Sequence, residues 1–231
     1  MINKNSGHLF QQKKKLEEKE RLEKMWEYEK ILWNQGIRLI AGVDEAGRGP
    51  LAGPVVASAV ILPPGFDPRE IKDSKQLSER KRKELAVYIQ ENALAIGLGI
   101  VGVEYIDEHN ILQATYEAMR RAVLSLEVKP EHCLVDGVKI PELRTSQMKM
   151  IDQTTIIKGD SLSFSIAAAS IMAKTTRDQI MIEYASLYPQ YGFDQHKGYG
   201  TSDHLRLIHK YGPSPIHRKS FKPIKELLAE L

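Results

Sequence analysis

The chain has 231 residues, of which 42% are hydrophobic and 27% charged, and it carries a formal net charge of +3. These values fit one packed domain with an appendage. A single cysteine, Cys133, excludes an internal disulfide and a cysteine-rich zinc site. No run approaches the roughly 18 apolar residues that a membrane span requires, and no apolar signal core follows the N-terminus. The sequence therefore predicts a cytoplasmic protein without a membrane segment.

The N-terminal part differs in composition from the rest of the chain. Residues 11–33 are rich in Lys, Glu and Arg, contain no Gly or Pro, and carry a thin apolar stripe. This pattern is typical of a solvated helix. We divide the chain into a charged helical extension, 1–36, and a main domain, 37–231.

Apolar runs of two kinds follow in the main domain. Runs rich in Val, Ile and Ala predict strands, whereas apolar residues at helical spacing predict helices, one of them capped by Ser78. The predicted strands cover 37–43, 54–62, 93–103, 133–137 and 156–157, and the predicted helices cover 78–92, 111–126 and 163–187. This order indicates an α/β fold with a mixed sheet that helices cover.

Carboxylates follow two of the predicted strands. Asp44 and Glu45 stand where the first strand ends, and Asp136 follows a short buried strand in the same way. Adjacent acids at such a position lose hydration and repel each other unless a cation binds there. Sites form where strand ends converge, so we expect one acidic centre.

Clustered carboxylates without a partnering His or Cys favour Mg²⁺ or Mn²⁺ over zinc. Two such ions can activate a water and stabilise a leaving oxygen at phosphorus. The alternative is a surface turn in which Arg48 pairs with the acids, but this does not explain Asp136.

Two residues are candidates for a fourth acid. Asp160 precedes the long predicted helix, where it could cap that helix or turn toward the sheet end. Asp178 lies in the middle of the helix and is better interpreted as the partner in a surface or intrahelical ion pair. We favour Asp160. Lys174 is a possible phosphate contact, although a solvated role fits it equally well.

The turn Gly47-Arg48-Gly49 directly follows the acidic pair. Its glycines leave the backbone open, so a sugar or phosphate could approach closely. A plain tight turn before Pro50 is the alternative.

The last third of the chain is basic. Between His196 and Lys225 there are seven Lys or Arg residues, one acid and four histidines. Such a segment suits phosphates, and Lys197 and Tyr199 lie within it, the tyrosine between two glycines that free its ring to meet a base or sugar. Lys75 is a further possible phosphate contact. We interpret the histidines as solvated surface groups.

Several segments together resemble bacterial ribonuclease HII, a type 2 ribonuclease H, in order and spacing from about residue 37 onward. They are AGVDEAGRGPLAGPVVASAVIL (41–62), DSKQLS (73–78), LVDG (134–137), KGD (158–160), AAASIMAKTTRD (167–178), YPQYGFDQHKGYGT (188–201) and PIHRKSF (215–221). The resemblance implies a ribonuclease H-like fold, with the N-terminal helical extension and a C-terminal helical segment added to it.

The resemblance also implies an activity: a two-metal endonuclease that cuts the RNA strand of RNA–DNA hybrids and incises 5′ of single ribonucleotides in duplex DNA. Activated water would attack the phosphate and leave a 3′-hydroxyl and a 5′-phosphate, with Mg²⁺ or Mn²⁺ and no organic cofactor. The enzyme would act as a monomer without a membrane partner.

Individual roles follow from the same resemblance. The family's acidic quartet falls on Asp44, Glu45, Asp136 and Asp160. Its Gly-Arg-Gly element, which senses the 2′-hydroxyl, falls on Gly47, Arg48 and Gly49. Its junction-reading tyrosine falls on Tyr199. A ribonuclease HIII-like hybrid nuclease and a non-catalytic hybrid-binding module remain as alternatives.

Overall fold

A computed structural model of the chain describes residues 16–17, 20–68, 71 and 77–229. Five strands form one sheet in the order β3-β2-β1-β4-β5. They are β1 (Ile40–Ala46), β2 (Val55–Ile61), β3 (Ala95–Val101), β4 (His132–Asp136) and β5 (Asp152–Ile156). The first three strands pair antiparallel, and β4 and β5 join them in parallel. The predicted mixed sheet is confirmed.

Seven α-helices are defined within the described part of the chain. They are α1 (Glu27–Asn34), α2 (Glu79–Asn92), α3 (Val103–Leu124), α4 (Phe164–Leu187), α5 (Phe193–His196), α6 (Ser202–Tyr211) and α7 (Lys222–Ala229). Ser78 caps α2 as predicted, its side chain accepting from the Lys81 amide, and Ser163 caps α4 in the same way. The helix predicted to start at 111 begins earlier and kinks at Asn110, whose φ is 69°.

Helices cover both faces of the sheet, so strands β1 and β2 are buried almost throughout. Alternate β1 residues such as Ala41 and Val43 pack with α3 in one apolar cluster, whereas α2 and α4 form a second cluster on the opposite face. Gly42 lets α4 approach closely, because a Cβ there would lie 2.0 Å from the main-chain carbon of Ser165. This close contact brings residues of α4 to the end of β1.

The described part of the N-terminal extension packs against α4. The ring of Trp26 lies 4.9 Å from that of Phe164, and the Oε1 atom of Glu29 accepts hydrogen bonds from the Ser163 hydroxyl and the Ser165 amide. Residues 20–25 are helical too. The earlier part of the helix predicted over 11–33 lies outside the described residues, except 16–17, which are also helical.

The C-terminal segment returns to the loop that follows β1. His217 forms an antiparallel bridge with Ala52, and the amide of Arg218 donates to the Leu51 oxygen at 2.8 Å. Ile224 of α7 is buried against Leu51. Residues 47–53 are therefore held between the sheet and the C-terminal segment.

The structure also changes predicted strand boundaries. Strand β1 extends through Asp44 and Glu45, which lie inside it and not after it. Strand β5 begins at Asp152, four residues before its prediction, because its polar residues hid it. Of the helices that the structure describes, none combines the length and apolar character needed to cross a membrane.

Candidate active site

The two acidic strand ends meet as predicted. Strands β1 and β4 are parallel neighbours in the register Val43 to Val135, so Asp44 and Asp136 follow at the same end of the sheet. Both carboxylates line a cavity of about 230 Å³. Its lining residues are Asp44, Glu45, Ala46, Gly47, Arg48, Gly49, Asp136, Ser170, Lys174 and Tyr199.

Asp44 is the most buried of the lining carboxylates, with 4% of its surface exposed. Its Oδ1 atom accepts from the Glu45 amide at 2.7 Å. Burial raises the pKa of Asp44 well above its usual value, and the charges of Glu45 and Asp136 raise it further, against the opposing effect of a hydrogen bond to Ser170. Three carboxylates therefore share a space in which at least one of them is unfavourable as an anion.

Glu45 lies beside the Arg48 guanidinium, with 3.2 Å between Oε1 and Nη1. Burial raises the pKa of Glu45, and the nearby Arg48 charge opposes this effect. The ion pair that the sequence offered as an alternative to an acidic centre thus exists within that centre.

Asp160 enters from the next strand. It lies in a short 3₁₀ turn, Gly159–Ser161, just after β5, and only 4% of its surface is exposed. The amide of Gly159 donates to the Oδ1 atom of Asp136 at 2.7 Å. The turn that carries Asp160 is therefore bound directly to Asp136, although Asp160 itself does not line the cavity.

The donor atoms here fit a hard divalent cation in kind, because all are carboxylate oxygens and their negative charges are close together. As the side chains stand, no group of three or more His, Cys, Asp or Glu residues in the described ranges could hold a metal ion. The fit thus depends on the type of donor atom and on the shared negative charge.

The Gly47-Arg48-Gly49 turn and Tyr199 form another part of the cavity wall. A Cβ placed on Gly49 would lie 3.9 Å from the Tyr199 ring. That ring is 44% exposed, and the Lys174 amine lies 5.8 Å from its centroid. An open backbone, an aromatic face and a cation thus border the carboxylates.

Sequence reasoning missed the two buried arginines that hold this wall. Arg177 donates to the main-chain oxygens of Ala52, Pro54 and Lys197. Arg218 donates to those of Gly47, Arg48, Gly53 and Pro54. Both are fully buried. No local pattern marks them, since their partners lie far away in sequence.

Asp178, the rejected fourth acid, forms the predicted intrahelical pair with Lys174 and a second ion pair with Arg82 at 3.1 Å. It is buried, however, and not on the surface. Lys174 lines the cavity, and its amine is ion-paired with Asp178.

One predicted substrate contact does not line the cavity, and another falls outside the described residues. The Lys197 amine donates to the main-chain oxygen of Asp194, and this residue does not line the cavity. Lys75 lies outside the described residues. The interpretation of the histidines as surface groups is wrong for His204 and His217, which are fully buried. Both rings contact that of Phe193, and their Nε2 atoms form a hydrogen bond with each other. These contacts make burial possible.

The sequence profile named Ribonuclease HII matches residues 41–224. The chain is 54% identical over 218 residues to a ribonuclease HII of Bacillus cytotoxicus, covering 94% of this chain and 82% of that protein. It is 53% identical over 206 residues to one of Geobacter sulfurreducens, covering 89% and 92%.

The chain belongs to the ribonuclease HII family.

Solved structures agree with this assignment. Ribonuclease H2 of Pyrococcus horikoshii matches with a TM-score of 0.69 at 27% identity, covering 83% of this chain and 97% of that one. Ribonuclease HII of Archaeoglobus fulgidus, solved in complex with PCNA, matches with a TM-score of 0.64 at 26% identity, covering 78% and 93%. Bst-RNase HIII in complex with Mn²⁺ has a TM-score of 0.65 at 19% identity, covering 84% and 70%, and it shares the fold alone.

Membership of the ribonuclease HII family makes the chain a ribonuclease H, an endonuclease that hydrolyses the RNA of RNA–DNA hybrids. The predicted ribonuclease H-like fold is confirmed. The two alternatives that the sequence left open, a ribonuclease HIII and a non-catalytic module, are not supported, because relatives with 51–54% identity carry the ribonuclease HII name.

Proposed function

We propose that this ribonuclease incises duplex DNA 5′ of single embedded ribonucleotides, besides cutting the RNA strand of hybrids, and leaves 3′-hydroxyl and 5′-phosphate ends. One observation carries the proposal. One cavity is lined by Asp44, Glu45 and Asp136 together with the Gly47–Gly49 turn and Tyr199. A scissile phosphate at the carboxylates would place its neighbouring sugars at the turn and the ring.

Asp44, Glu45 and Asp136 would hold Mg²⁺ or Mn²⁺, and Asp160 would complete the quartet from the turn bound to Asp136. Two bound ions supply water activation and stabilise the leaving oxygen. The protein supplies the charge that attracts them, since the carboxylates disfavour one another in the buried site. Ser170 keeps Asp44 in place by hydrogen bonding.

The turn and the tyrosine would read the sugars on the two sides of the cut. Gly47 and Gly49 leave backbone groups open, and Arg48 adds a donor, so the 2′-hydroxyl could be bound there and distinguished from hydrogen. The half-exposed Tyr199 ring offers a flat face to the deoxynucleotide that follows.

Cations near the cavity would bind the flanking phosphates. Lys174 lines the cavity beside the Tyr199 ring and is one candidate. Lys75 and Lys197 would contact phosphates farther along the duplex, with the basic C-terminal segment. We propose a cytoplasmic monomer, with the N-terminal extension packed on the catalytic domain.

The test is nicking of a duplex that contains one ribonucleotide, in Mg²⁺ and in Mn²⁺. The native chain should cut 5′ of the ribonucleotide. Asp136→Asn should lose cleavage by more than the roughly 10–100-fold that loss of a group hydrogen-bonded to a metal ligand typically costs, while it still binds the duplex. Asp203→Asn, an exposed acid on α6, is the matched control and should cut normally. Equal cleavage by Asp136→Asn, or cuts that ignore the ribonucleotide, would refute the proposal.

A further inference from the structure

Three histidines connect the C-terminal segment to Tyr199. His217 forms the bridge with Ala52, and His204 lies in the first turn of α6. The ring of His196 stacks on that of His204, with 4.1 Å between the ring centroids. His204 and His217 have no exposed surface. They take no part in the chemistry proposed above, so their burial needs another explanation.

Their hydrogen bonds define one tautomer for each ring. The amide of Ser214 can only donate, and it lies 2.8 Å from Nδ1 of His217, so that nitrogen accepts. The proton of His217 is therefore on Nε2, which lies 3.0 Å from Nε2 of His204. Nε2 of His204 must then accept.

The proton of His204 is consequently on Nδ1, which donates to the main-chain oxygen of Tyr199 at 2.9 Å. The third ring follows the same logic: the Gly198 amide donates to Nδ1 of His196, so the Nε2 proton of His196 goes to the Tyr191 oxygen. The chain from Ser214 through His217 and His204 to Tyr199 thus runs in one direction, with both imidazoles neutral. We call these two residues, His204 and His217, the histidine relay.

Tyr199 follows two residues with unusual backbone angles, and its position depends on a small set of main-chain hydrogen bonds that includes the one from His204. Gly198 and Lys197, just before it, both have positive φ angles of 84° and 50°. The Tyr199 ring is 44% exposed. Its oxygen also accepts from the Thr201 amide at 2.8 Å, and its amide donates to the His196 oxygen at 2.9 Å.

We propose that the histidine relay is a positioning device that sets the main chain of Tyr199, and thereby the place of its ring above the cavity. Neither histidine touches substrate. The inference rests on the proposed role of Tyr199 in reading the deoxynucleotide after the ribonucleotide. The inference adds that the C-terminal segment, through His217, controls the preference for a deoxynucleotide after the ribonucleotide.

Burial agrees with this arrangement. It lowers the pKa of both His204 and His217 to about 4, so the neutral rings that the hydrogen bonds require are the stable forms near neutral pH.

Two substitutions at His204 separate positioning from mere stability. Asn places its amide nitrogen near the Nδ1 position and keeps the donor to Tyr199, whereas Gln reaches the Nε2 position and loses that donor. We measure the ratio of kcat/KM on a duplex with one ribonucleotide to kcat/KM on a continuous RNA–DNA hybrid. His204→Gln should lower this ratio about fivefold, the factor for one neutral hydrogen bond, while His204→Asn stays within about twofold of the native value.

His209→Gln is the matched control, since His209 is exposed on the same helix, and it should leave the ratio unchanged. Equal ratios for the Asn and Gln variants at His204 would overturn the inference, as would losses that only follow the thermal stability of each variant. Tyr199→Ala shows separately whether the tyrosine reads the junction at all. If it leaves the ratio unchanged, the proposed role of Tyr199 fails.

NMR of the substrate-free protein tests the histidine relay even if Tyr199 does not read the junction. Long-range ¹H–¹⁵N spectra should show the proton of His204 on Nδ1 and that of His217 on Nε2. The ¹³C signal of the Tyr199 carbonyl should move in His204→Gln and stay in place in His204→Asn. Reversed tautomers, or a Tyr199 signal that is the same in all variants, would refute the relay whatever the substrate preference.

Discussion

The buried guanidinium of Arg218 donates a hydrogen bond of 2.5 Å to the main-chain oxygen of Gly47, 171 positions earlier in the chain. A neighbouring nitrogen donates to the Arg48 oxygen at 2.9 Å. The turn that we propose to bind the 2′-hydroxyl is thus held by a cation from the opposite end of the chain. Burial, and then the charge of Arg177, lower the pKa of Arg218 to about 9.

Arg218→Lys should therefore not be a conservative change. A lysine has one amine and cannot reach several carbonyls in the planar geometry of a guanidinium. We expect a loss of about 1–3 kcal/mol in the free energy of unfolding, measured by urea denaturation, with reduced kcat/KM on an RNA–DNA hybrid. Arg206→Lys is the control, since the Arg206 side chain is 66% exposed. If both variants behave alike, the buried arginine does not hold the turn.

Asp44→Asn should stabilise the cation-free protein while it abolishes cleavage. The raised pKa of Asp44 means that its charged form is unfavourable in the folded state, and asparagine removes the charge but keeps an oxygen for the Glu45 amide. Variants of this kind often gain about 0.5–2 kcal/mol. Thermal unfolding in EDTA should show a higher Tm than for the native chain.

Added Mg²⁺ should then raise the Tm of the native chain more than that of Asp44→Asn, because only the native chain keeps the full set of charges that attract the ion. Asp203→Asn should respond as the native chain does. A lower Tm for Asp44→Asn in EDTA would contradict the electrostatic account.

The sequence predicted the sheet and the acidic centre well for a physical reason. Apolar strands and the acids at their ends are local signals, and the parallel pairing of β1 with β4 brings two such ends together. The mixed α/β sheet and the positions of Asp44 and Asp136 could therefore be predicted from short segments, whereas the fold family was implied only by the resemblance to ribonuclease HII.

The support of the site could not be predicted in this way. Arg177 and Arg218 both bind main-chain oxygens of residues 47–54, more than 100 positions away. Nothing in a carbonyl-binding arginine differs locally from a surface arginine. His204 and His217 looked like surface residues within a basic segment, because only their mutual contact shows why they are buried. The prediction made strand β5 too short, because the strand is mostly polar and half exposed.

Gly42→Ala should be poorly tolerated. The added carbon would lie 2.0 Å from the main-chain carbon of Ser165 and 2.3 Å from the Ile166 nitrogen, so α4 would have to move away from β1. Overpacking of this kind costs about 1–3 kcal/mol or more, which corresponds to a fall of roughly 2–12 °C in Tm for a chain of this size. Gly102→Ala is the control, since its Cβ would meet only the end of the Glu104 side chain at 2.9 Å. Equal Tm values for the two variants would contradict the close contact.

The buried histidines should make the protein less stable in mild acid. Their pKa values are about 4 in the folded protein and 6.5 in the unfolded chain, with burial as the main cause. The unfolded chain therefore binds more protons between these values, so the contribution is complete above pH 6.5 and is lost as the pH falls toward 4. Each histidine contributes about 1.4 kcal/mol per pH unit within that window.

Urea denaturation between pH 7 and pH 5 measures this slope. His204→Asn should give a shallower dependence than the native chain, because one of the two groups is removed. His209→Asn, on the exposed face of the same helix, should keep the native slope. If all three slopes agree, the buried rings do not govern stability in this range.

Glu29 connects the N-terminal extension to the catalytic domain and allows a test of whether the two form one folding unit. Its Oε1 atom accepts from the Ser163 hydroxyl at 2.6 Å and from the Ser165 amide at 3.0 Å, at the start of α4. Glu29→Ala leaves these buried donors without that acceptor, and we expect a loss of about 1–3 kcal/mol in the free energy of unfolding.

Glu29→Gln should be at least as stable as the native chain at pH 7. It keeps an oxygen for both donors and removes a charge that burial disfavours, as the raised pKa of Glu29 indicates. Removal of residues 1–36 should destabilise the domain more than Glu29→Ala, because the contact of Trp26 with Phe164 and the burial of Leu32 are lost as well. A truncated domain as stable as the full chain would show that the extension is an independent appendage. Helix α4 carries Ser170 and Lys174 to the cavity, and it would then need no support from the extension.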